Sequence, residues 1–449
     1  MKVLKFGGIS VKDAPAIRKL KEILLLDDSK KLVVVSAFFG VTDLLSELVG
    51  QLKTKKYDTA SETAGKVEQI CLNIAKELRS CKVSERFITE KFCEIKTLIP
   101  ALALLGEITD RSVDMFMSVG EKISSFVLAD FLNSEGINSG FIDASGVIVT
   151  DNCHTKAAVD LDKTKAAVSG RIAPLFEHSN IVVTAGFIGS DPTGATTTLG
   201  RGGSDYSASV LAVCLKAEVL EIWKEVDGIM TTDPRIVKNA IPVESLSYTE
   251  ASELAFFGAK VLHPKTIRAA VMEGIPVVVK KTSDPHFQGT TINRTSPVTR
   301  KVKAIAFHKN ITIINICSEK MLGTYGFLSR VFDIFTKHRT PVDMITTSEI
   351  NISVTVDSNG PVSDIIRELS EFSSVTATEN VSIISLVGEG IKFTSGIAGR
   401  CFGSLKDINI LMVSMGASEA NISIIVDQSD MEQCVTLLHR EFFEKERKE

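Results

Sequence analysis

The 449-residue chain carries 51 Lys and Arg against 55 Asp and Glu, a formal net charge of −4, with 44% hydrophobic and 24% charged residues. That balance excludes a global field able to recruit nucleic acid or an anionic membrane, and no segment reaches the ~18 consecutive apolar residues of a membrane helix. The eight cysteines include no Cys-x-x-Cys pair, which excludes a disulfide framework or zinc pattern.

The amino terminus reads as a strand and a turn rather than a signal peptide, so a soluble cytoplasmic protein of two to four domains is expected. Val3–Phe6 is a short apolar run that ends in Gly7-Gly8, and Leu32–Val35 ends in Ser36-Ala37-Phe38-Phe39-Gly40. From Tyr57 to Pro100 apolar residues recur at three- and four-residue spacing, which predicts polar helical covers without chemistry of their own. Ile181–Thr184 leads into Ala185–Gly189, Val219–Trp223 leads into Lys224–Gly228, and Ile275–Val279 is a further run. Buried strands alternating with helices predict an α/β fold with a mostly parallel sheet sandwiched by helices. Ligands on such sheets sit at the carboxyl ends of the strands, where these turns fall.

The last third contains an internal repeat. Residues 311–357 and 381–427 align without gaps at an offset of 70, placing Gly326 on Gly396, Arg330 on Arg400 and Glu349-x-Asn351-Ile352-Ser353 on Glu419-x-Asn421-Ile422-Ser423. Each copy reads strand, loop, helix, strand, strand, helix. This is a duplicated supersecondary unit.

Four motifs carry candidate chemistry. Lys5-Phe6-Gly7-Gly8 offers a point charge and close backbone approach to a phosphate, although the segment by itself also fits an ordinary strand-to-helix turn. Gly200-Arg201-Gly202-Gly203-Ser204-Asp205 opens the apolar helix Ala208–Leu215 and combines helix-start N–H groups with a guanidinium fork. An N-cap role would account for Ser204 or Asp205, but not for three glycines and an arginine. In Ser118-Val119-Gly120-Glu121 the glutamate suits a substrate ammonium or simply a helix start. Phe257-Gly258-Ala259-Lys260-Val261-Leu262-His263-Pro264 sets Lys260 where a helix could present it to a nucleotide. No P-loop and no protein-kinase motif set is present.

These motifs, with Asp227-Gly228-Ile229 and Thr232-Asp233-Pro234-Arg235 in the same order, resemble the aspartokinase family of the amino-acid kinase superfamily. The tail resembles paired ACT domains. The resemblance implies an amino-acid kinase fold over 1–294 followed by βαββαβ-type ACT repeats over 311–380 and 381–449. It implies ATP with Mg²⁺, and L-aspartate phosphorylated to 4-phospho-L-aspartate, the entry step to lysine, threonine and methionine synthesis. By the same resemblance Lys5 and Asp205 are catalytic, and Gly7, Gly8 and Gly203 meet phosphates. Ser36, Thr42, Glu121, Phe187, Arg201 and Ser204 surround aspartate, with Glu121 on its ammonium and Arg201 on a carboxylate. Lys224, Glu225, Met230, Arg235, Lys260 and Val261 lie along the nucleotide. No protein-held metal site is implied. The chain departs from the family pattern at Ile9 (usually Thr), at Trp223-Lys224-Glu225-Val226 (usually Trp-Thr-Asp-Val) and at Met230 (usually Tyr).

The two repeats differ where an effector would bind. Copy one has Val342-Asp343 where copy two has Met412-Val413, and Met321 where copy two has Ile391. Met321, Thr324, Phe327, Leu328, Val342, Asp343, Ser348 and Glu349 resemble the effector site of lysine-inhibited aspartokinases. Feedback inhibition by lysine is therefore expected, with threonine the competing effector, and so is a homodimer or tetramer built through the repeats. Two other readings are a kinase acting on another carboxylate such as glutamate, and a non-catalytic amino-acid sensor with a degenerate kinase domain. The duplicated tail argues against the first. Intact Lys5, Arg201, Asp205 and Lys260 argue against the second.

Overall fold

The structure, a computed structural model, describes residues 1–79, 82–258, 262–297, 300–318 and 325–445. Along the chain the elements are β1 (Lys2–Phe6), α1 (Ala14–Leu24), β2 (Lys31–Val35), α2 (Val41–Lys53), α3 (Tyr57–Glu77), α4 (Lys82–Leu105), α5 (Asp110–Ser134), β3 (Ser139–Ile142), α6 (Leu161–Arg171), α7 (Leu175–His178), β4 (Ile181–Ala185), β5 (Ile188–Ser190), β6 (Thr196–Thr198), α8 (Gly203–Leu215) and β7 (Val219–Lys224). There follow β8 (Ser245–Ser247), α9 (Tyr248–Phe256), α10 (Pro264–Met272), β9 (Val277–Lys281), β10 (Thr290–Asn293), β11 (Ala304–Cys317), α11 (Phe327–Lys337), β12 (Ile345–Thr347), β13 (Asn351–Asp357), α12 (Val362–Leu369), β14 (Ser374–Val387), α13 (Ile397–Ser404), β15 (Ile410–Met415), β16 (Asn421–Asp427) and α14 (Met431–His439). They fall into two compact units, Met1–Gly228 with His263–Arg294, and Ile229–Leu262 with Thr295–Glu449.

In the first unit the strands run in the order β3-β4-β2-β1-β7-β9-β10. All neighbours are parallel except β9 and β10, which pair antiparallel. The sequences of β1, β2 and β4 are almost continuously apolar because both sheet faces are covered. Leu4, Phe6, Val33, Val35 and Val183 join the inward faces of α1 to α5 in one core. The periodic segment after Tyr57 forms α3 and α4, with Pro100 inside the second. The helix expected from Ala208 begins five residues earlier, at Gly203, because Gly202 takes a left-handed φ of 74° and turns the chain into it.

In the second unit the strand order is β12-β13-β11-β14-β16-β15. The central strand pairs of the two copies repeat in register, while the edge strands β12 and β15 differ by two residues. Ile311 pairs with Asp357 and Asn315 with Ser353, and Val381 pairs with Asp427 and Ser385 with Ser423. Each copy buries an apolar sheet face under its own two helices. The Ile229–Leu262 segment is built into this unit. The Ile305 N–H donates to the Thr231 carbonyl at 2.7 Å. In α9, Glu250 is fully buried and accepts from the backbone of Ser247 and of Glu389. Glu253 accepts from the Ser418 hydroxyl and the Asn421 amide.

Candidate active site

The turns after β1, β2, β4 and β7 lie at the carboxyl ends of neighbouring parallel strands, so residues distant in sequence converge there. Lys5 on β1 is 5% exposed and its Nζ lies 2.7 Å from Oδ1 of Asp205 in the first turn of α8. Lys224, the last residue of β7, places its Nζ 3.1 Å from the other oxygen, Oδ2. Burial by itself would raise the Asp205 carboxyl, but the Lys5 and Lys224 ammonium groups hold it down at about 2. Asp205 therefore stays ionised and orients two cations.

Beside this cluster, β1 gives way to Gly7-Gly8 and a single 3-10 turn over Gly8–Val11. The Gly7 N–H donates to the Trp223 carbonyl at 3.3 Å. A Cβ on Gly8 would meet the Ala37 carbonyl at 3.3 Å, so the turns after β1 and β2 approach backbone to backbone. Ser36 is half-buried in the second of these turns, and its carbonyl accepts from the Ser124 hydroxyl at 2.8 Å. Thr42 is exposed in the first turn of α2.

Helix α5 carries Glu121, 3% exposed, under the β2 turn. The packing is close enough that a Cβ on Gly120 would fall 2.8 Å from that of Ala37. Burial pushes the Glu121 carboxyl up to about 7, against a backbone hydrogen bond from Ala37 and the charge of Lys5, which lower it. Its Oε2 is buried and has no hydrogen-bond partner among the described residues. Such an oxygen calls for a donor.

The Arg201 turn packs on the loop after β4. Phe187 adopts a left-handed φ of 70° and its N–H donates to the Ser207 hydroxyl. A Cβ on Gly203 would lie 2.7 Å from the Phe187 ring, and one on Gly186 would lie 2.6 Å from the Ser204 Cβ. The glycines are thus required by the approach of two turns. Ser204 is half-buried and Arg201 exposed at the rim.

The structure therefore brings together Lys5, Gly7, Gly8, Ser36, Glu121, Phe187, Gly203, Ser204, Asp205 and Lys224 around the strand ends of the first unit. Glu225 is exposed just beyond β7. Met230 and Arg235 belong to the second unit, where Met230 bridges to Pro242 and Arg235 pairs with Asp233. Lys260 and Val261, like Met321 and Thr324, lie outside the described residues. Of the effector candidates, Phe327 stands edge-on to Phe372, Leu328 is exposed and Val342 packs on the first repeat's core. Asp343 is half-buried. Burial raises its carboxyl, His308 opposes that, and the like charge of Asp357 adds to it. The Ser348 hydroxyl accepts from the Asn351 N–H, and Glu349 is exposed.

One residue of this site is absent from the sequence reading. Asp114 is fully buried and accepts from His154 Nδ1 at 2.8 Å, from the Thr155 N–H and from the Thr198 hydroxyl. It holds the 151–158 loop so that the Thr155 carbonyl lies 3.3 Å from where a Cβ on Gly200 would sit. The signal was available: Asp114, Ser118 and Glu121 fall at i, i+4 and i+7 on one face of α5.

Among the described residues no group of three or more His, Cys, Asp or Glu could hold a metal ion. None of the helices among the described residues is long and apolar enough to cross a membrane.

The amino acid kinase family model matches residues 1–281, and an ACT domain model matches 314–360 and 384–442. Lysine-sensitive aspartokinase 3 of Escherichia coli is 35% identical over 450 residues, covering 98% of this chain and 99% of that protein. The crystal structure of E. coli aspartokinase III with lysine and aspartate, in its T-state, superposes with a TM-score of 0.85 at 34% identity, covering 99% of both chains. The R-state structure with aspartate and ADP gives 0.81 at 34% identity over 99% of this chain and 100% of that one. The likeness runs along the whole length of the chain, through the kinase part and the duplicated tail, and the chain belongs to the aspartokinases of the amino acid kinase family.

Proposed function

We propose that this aspartokinase transfers the γ-phosphoryl group of ATP to the β-carboxylate of L-aspartate, giving 4-phospho-L-aspartate for lysine, threonine and methionine synthesis, and that lysine restrains it through the repeats. The observation that carries the catalytic reading is the Lys5–Asp205–Lys224 cluster beside the buried, unpartnered oxygen of Glu121. The acceptor carboxylate is ionised at neutral pH, so no general base is needed. Its oxygen attacks the γ-phosphorus, the bond to the β–γ bridging oxygen breaks, and the electron pair leaves on ADP. What the protein supplies is alignment and charge neutralisation. Lys5 and the Gly7-Gly8 and Gly203 N–H groups take phosphate oxygens, Glu121 takes the substrate ammonium, and Arg201 takes a carboxylate. Mg²⁺ brought with the nucleotide would add neutralisation of the charge that develops on the leaving group.

The E. coli relative's structures contain lysine, aspartate and ADP, which supports the same ligands here. Asp343, present in one repeat only and pressed by Asp357, suits the ammonium of a lysine side chain. A homodimer or tetramer through the repeats fits the exposed apolar residues Leu411, Val413 and Met415 of strand β15. The test is a coupled ADP-release assay with Mg·ATP and either aspartate or glutamate, with and without lysine. Aspartate-dependent turnover suppressed by lysine is expected. Turnover with glutamate alone, or none with either acid from folded protein, would overturn the assignment.

A further inference from the structure

Lys224 stands at a position where the family pattern has an uncharged hydroxyl residue, and the structure gives it a defined place. Its carbonyl accepts from the Thr282 N–H at 2.9 Å, and the Thr282 hydroxyl lies 2.8 Å from that of Ser10 in the turn after Gly7-Gly8. The preceding carbonyl, of Trp223, accepts from the Gly7 N–H. The backbone at Lys224 is thereby fixed against the glycine turn, and the side chain reaches inward to Asp205 rather than out to solvent.

Charge neutralisation does not explain it. Lys5 already pairs with Asp205 at the shorter distance of 2.7 Å. Adding Lys224 sets a second ammonium on the same carboxylate, where burial lowers it, Asp205 opposes that and the repulsion of Lys5 adds to it. A like-charged pair of this kind gains from an anion that lies between its members. The anion that enters this site in the reaction is the phosphate chain of the nucleotide.

We propose that Lys224 is a catalytic residue, a second cation that contacts the γ-phosphate as it transfers, with Asp205 setting its spacing from Lys5. The inference rests on the reading of Lys5 and Asp205 as the transfer centre. As the phosphorus leaves the bridging oxygen for the aspartate carboxylate, Lys224 holds non-bridging oxygens and exchanges no proton.

The test uses the full chain as K224M, K224R and K5M, with a thermal melt of each. Two quantities are read: steady-state ADP release, and equilibrium binding of Mg·ATP and Mg·ADP without aspartate. Loss of one preorganised charge contact predicts a fall in kcat of about 100-fold in K224M, partly restored in K224R. Affinity for Mg·ATP should fall more than for Mg·ADP, while the aspartate KM stays within about 2-fold, a split that a merely structural role would not produce. Wild-type kcat and an unchanged ATP-to-ADP affinity ratio in K224M, with K5M inactive, would overturn the role of Lys224 alone. Wild-type turnover in K5M would instead overturn the centre itself. If K224M loses its cooperative melt, K224T carries the same comparison.

Discussion

Replacing Glu121 by glutamine keeps the shape of the side chain and removes its charge. Burial moves this carboxyl from its ordinary 4.5 to about 7, so ionising it in the ligand-free fold costs about 3 kcal/mol at 1.36 kcal/mol per pKa unit. The sign follows from proton binding. Between pH 4.5 and about 7 the folded state holds this proton and the unfolded chain does not, so stability falls as pH rises through that window and levels off above it. Urea unfolding of ligand-free wild type and E121Q from pH 5 to 8 isolates the contribution. Relative to E121Q, the wild type should lose stability toward pH 8, by up to about 3 kcal/mol, less whatever the buried amide leaves unpaired. Aspartate binding should move the other way. Truncating one partner of a buried charge pair costs at least ~2 kcal/mol, so the aspartate KM of E121Q should rise ~30-fold or more while the ATP KM holds. In the wild type, kcat/KM for aspartate should decline as pH falls below about 7, and that limb should vanish in E121Q. An unchanged aspartate KM in E121Q, or a stability difference that stays flat from pH 5 to 8, would refute the assignment of Glu121 to the ammonium.

Other substitutions test the remaining parts. D205A leaves Lys5 and Lys224 buried without their carboxylate and should cost about 3 kcal/mol in urea unfolding, with turnover reduced ~100-fold or more in the ADP-release assay. G203A sets a methyl 2.7 Å from the Phe187 ring and 3.1 Å from the Leu199 Cβ; it should lower the melting temperature by an amount equivalent to about 1–3 kcal/mol and raise the aspartate KM. D343N should raise the lysine concentration for half-inhibition by about 10-fold, the value of one lost charge contact, and leave uninhibited kcat unchanged.

Much of this was legible in the sequence, for physical reasons. Strands buried on both faces write themselves as apolar runs, so the ends of β1, β2, β4 and β7 came within a residue or two. Glycines forced by close approach, such as Gly203 against Phe187, survive as motifs because no other residue fits. The repeat was legible because identical register needs identical alternation. Polar residues whose partners lie far along the chain were not. Asp114 meets His154 and Thr198, and Glu253 meets Ser418 and Asn421, and no local pattern announces such pairs. Lys224 was visible as a departure, but its pairing with Asp205 needed the sheet order that sets β7 beside β1.

The family match to residues 1–281 invites treating the amino-terminal part as a detachable enzyme, yet the Ile229–Leu262 segment is sewn into the other unit. Its buried Glu250 finds Glu389, its half-buried Glu253 finds Ser418 and Asn421, and Thr231 finds His439. A ribosome that has released only the first 294 residues has released this segment without the groups that satisfy it. The segment between β7 and α10 thus lacks its full set of partners until His439 is made. In this protein inheritance and folding draw the boundary in different places, and a catalytic fragment cut at the inherited border should be born with an open seam.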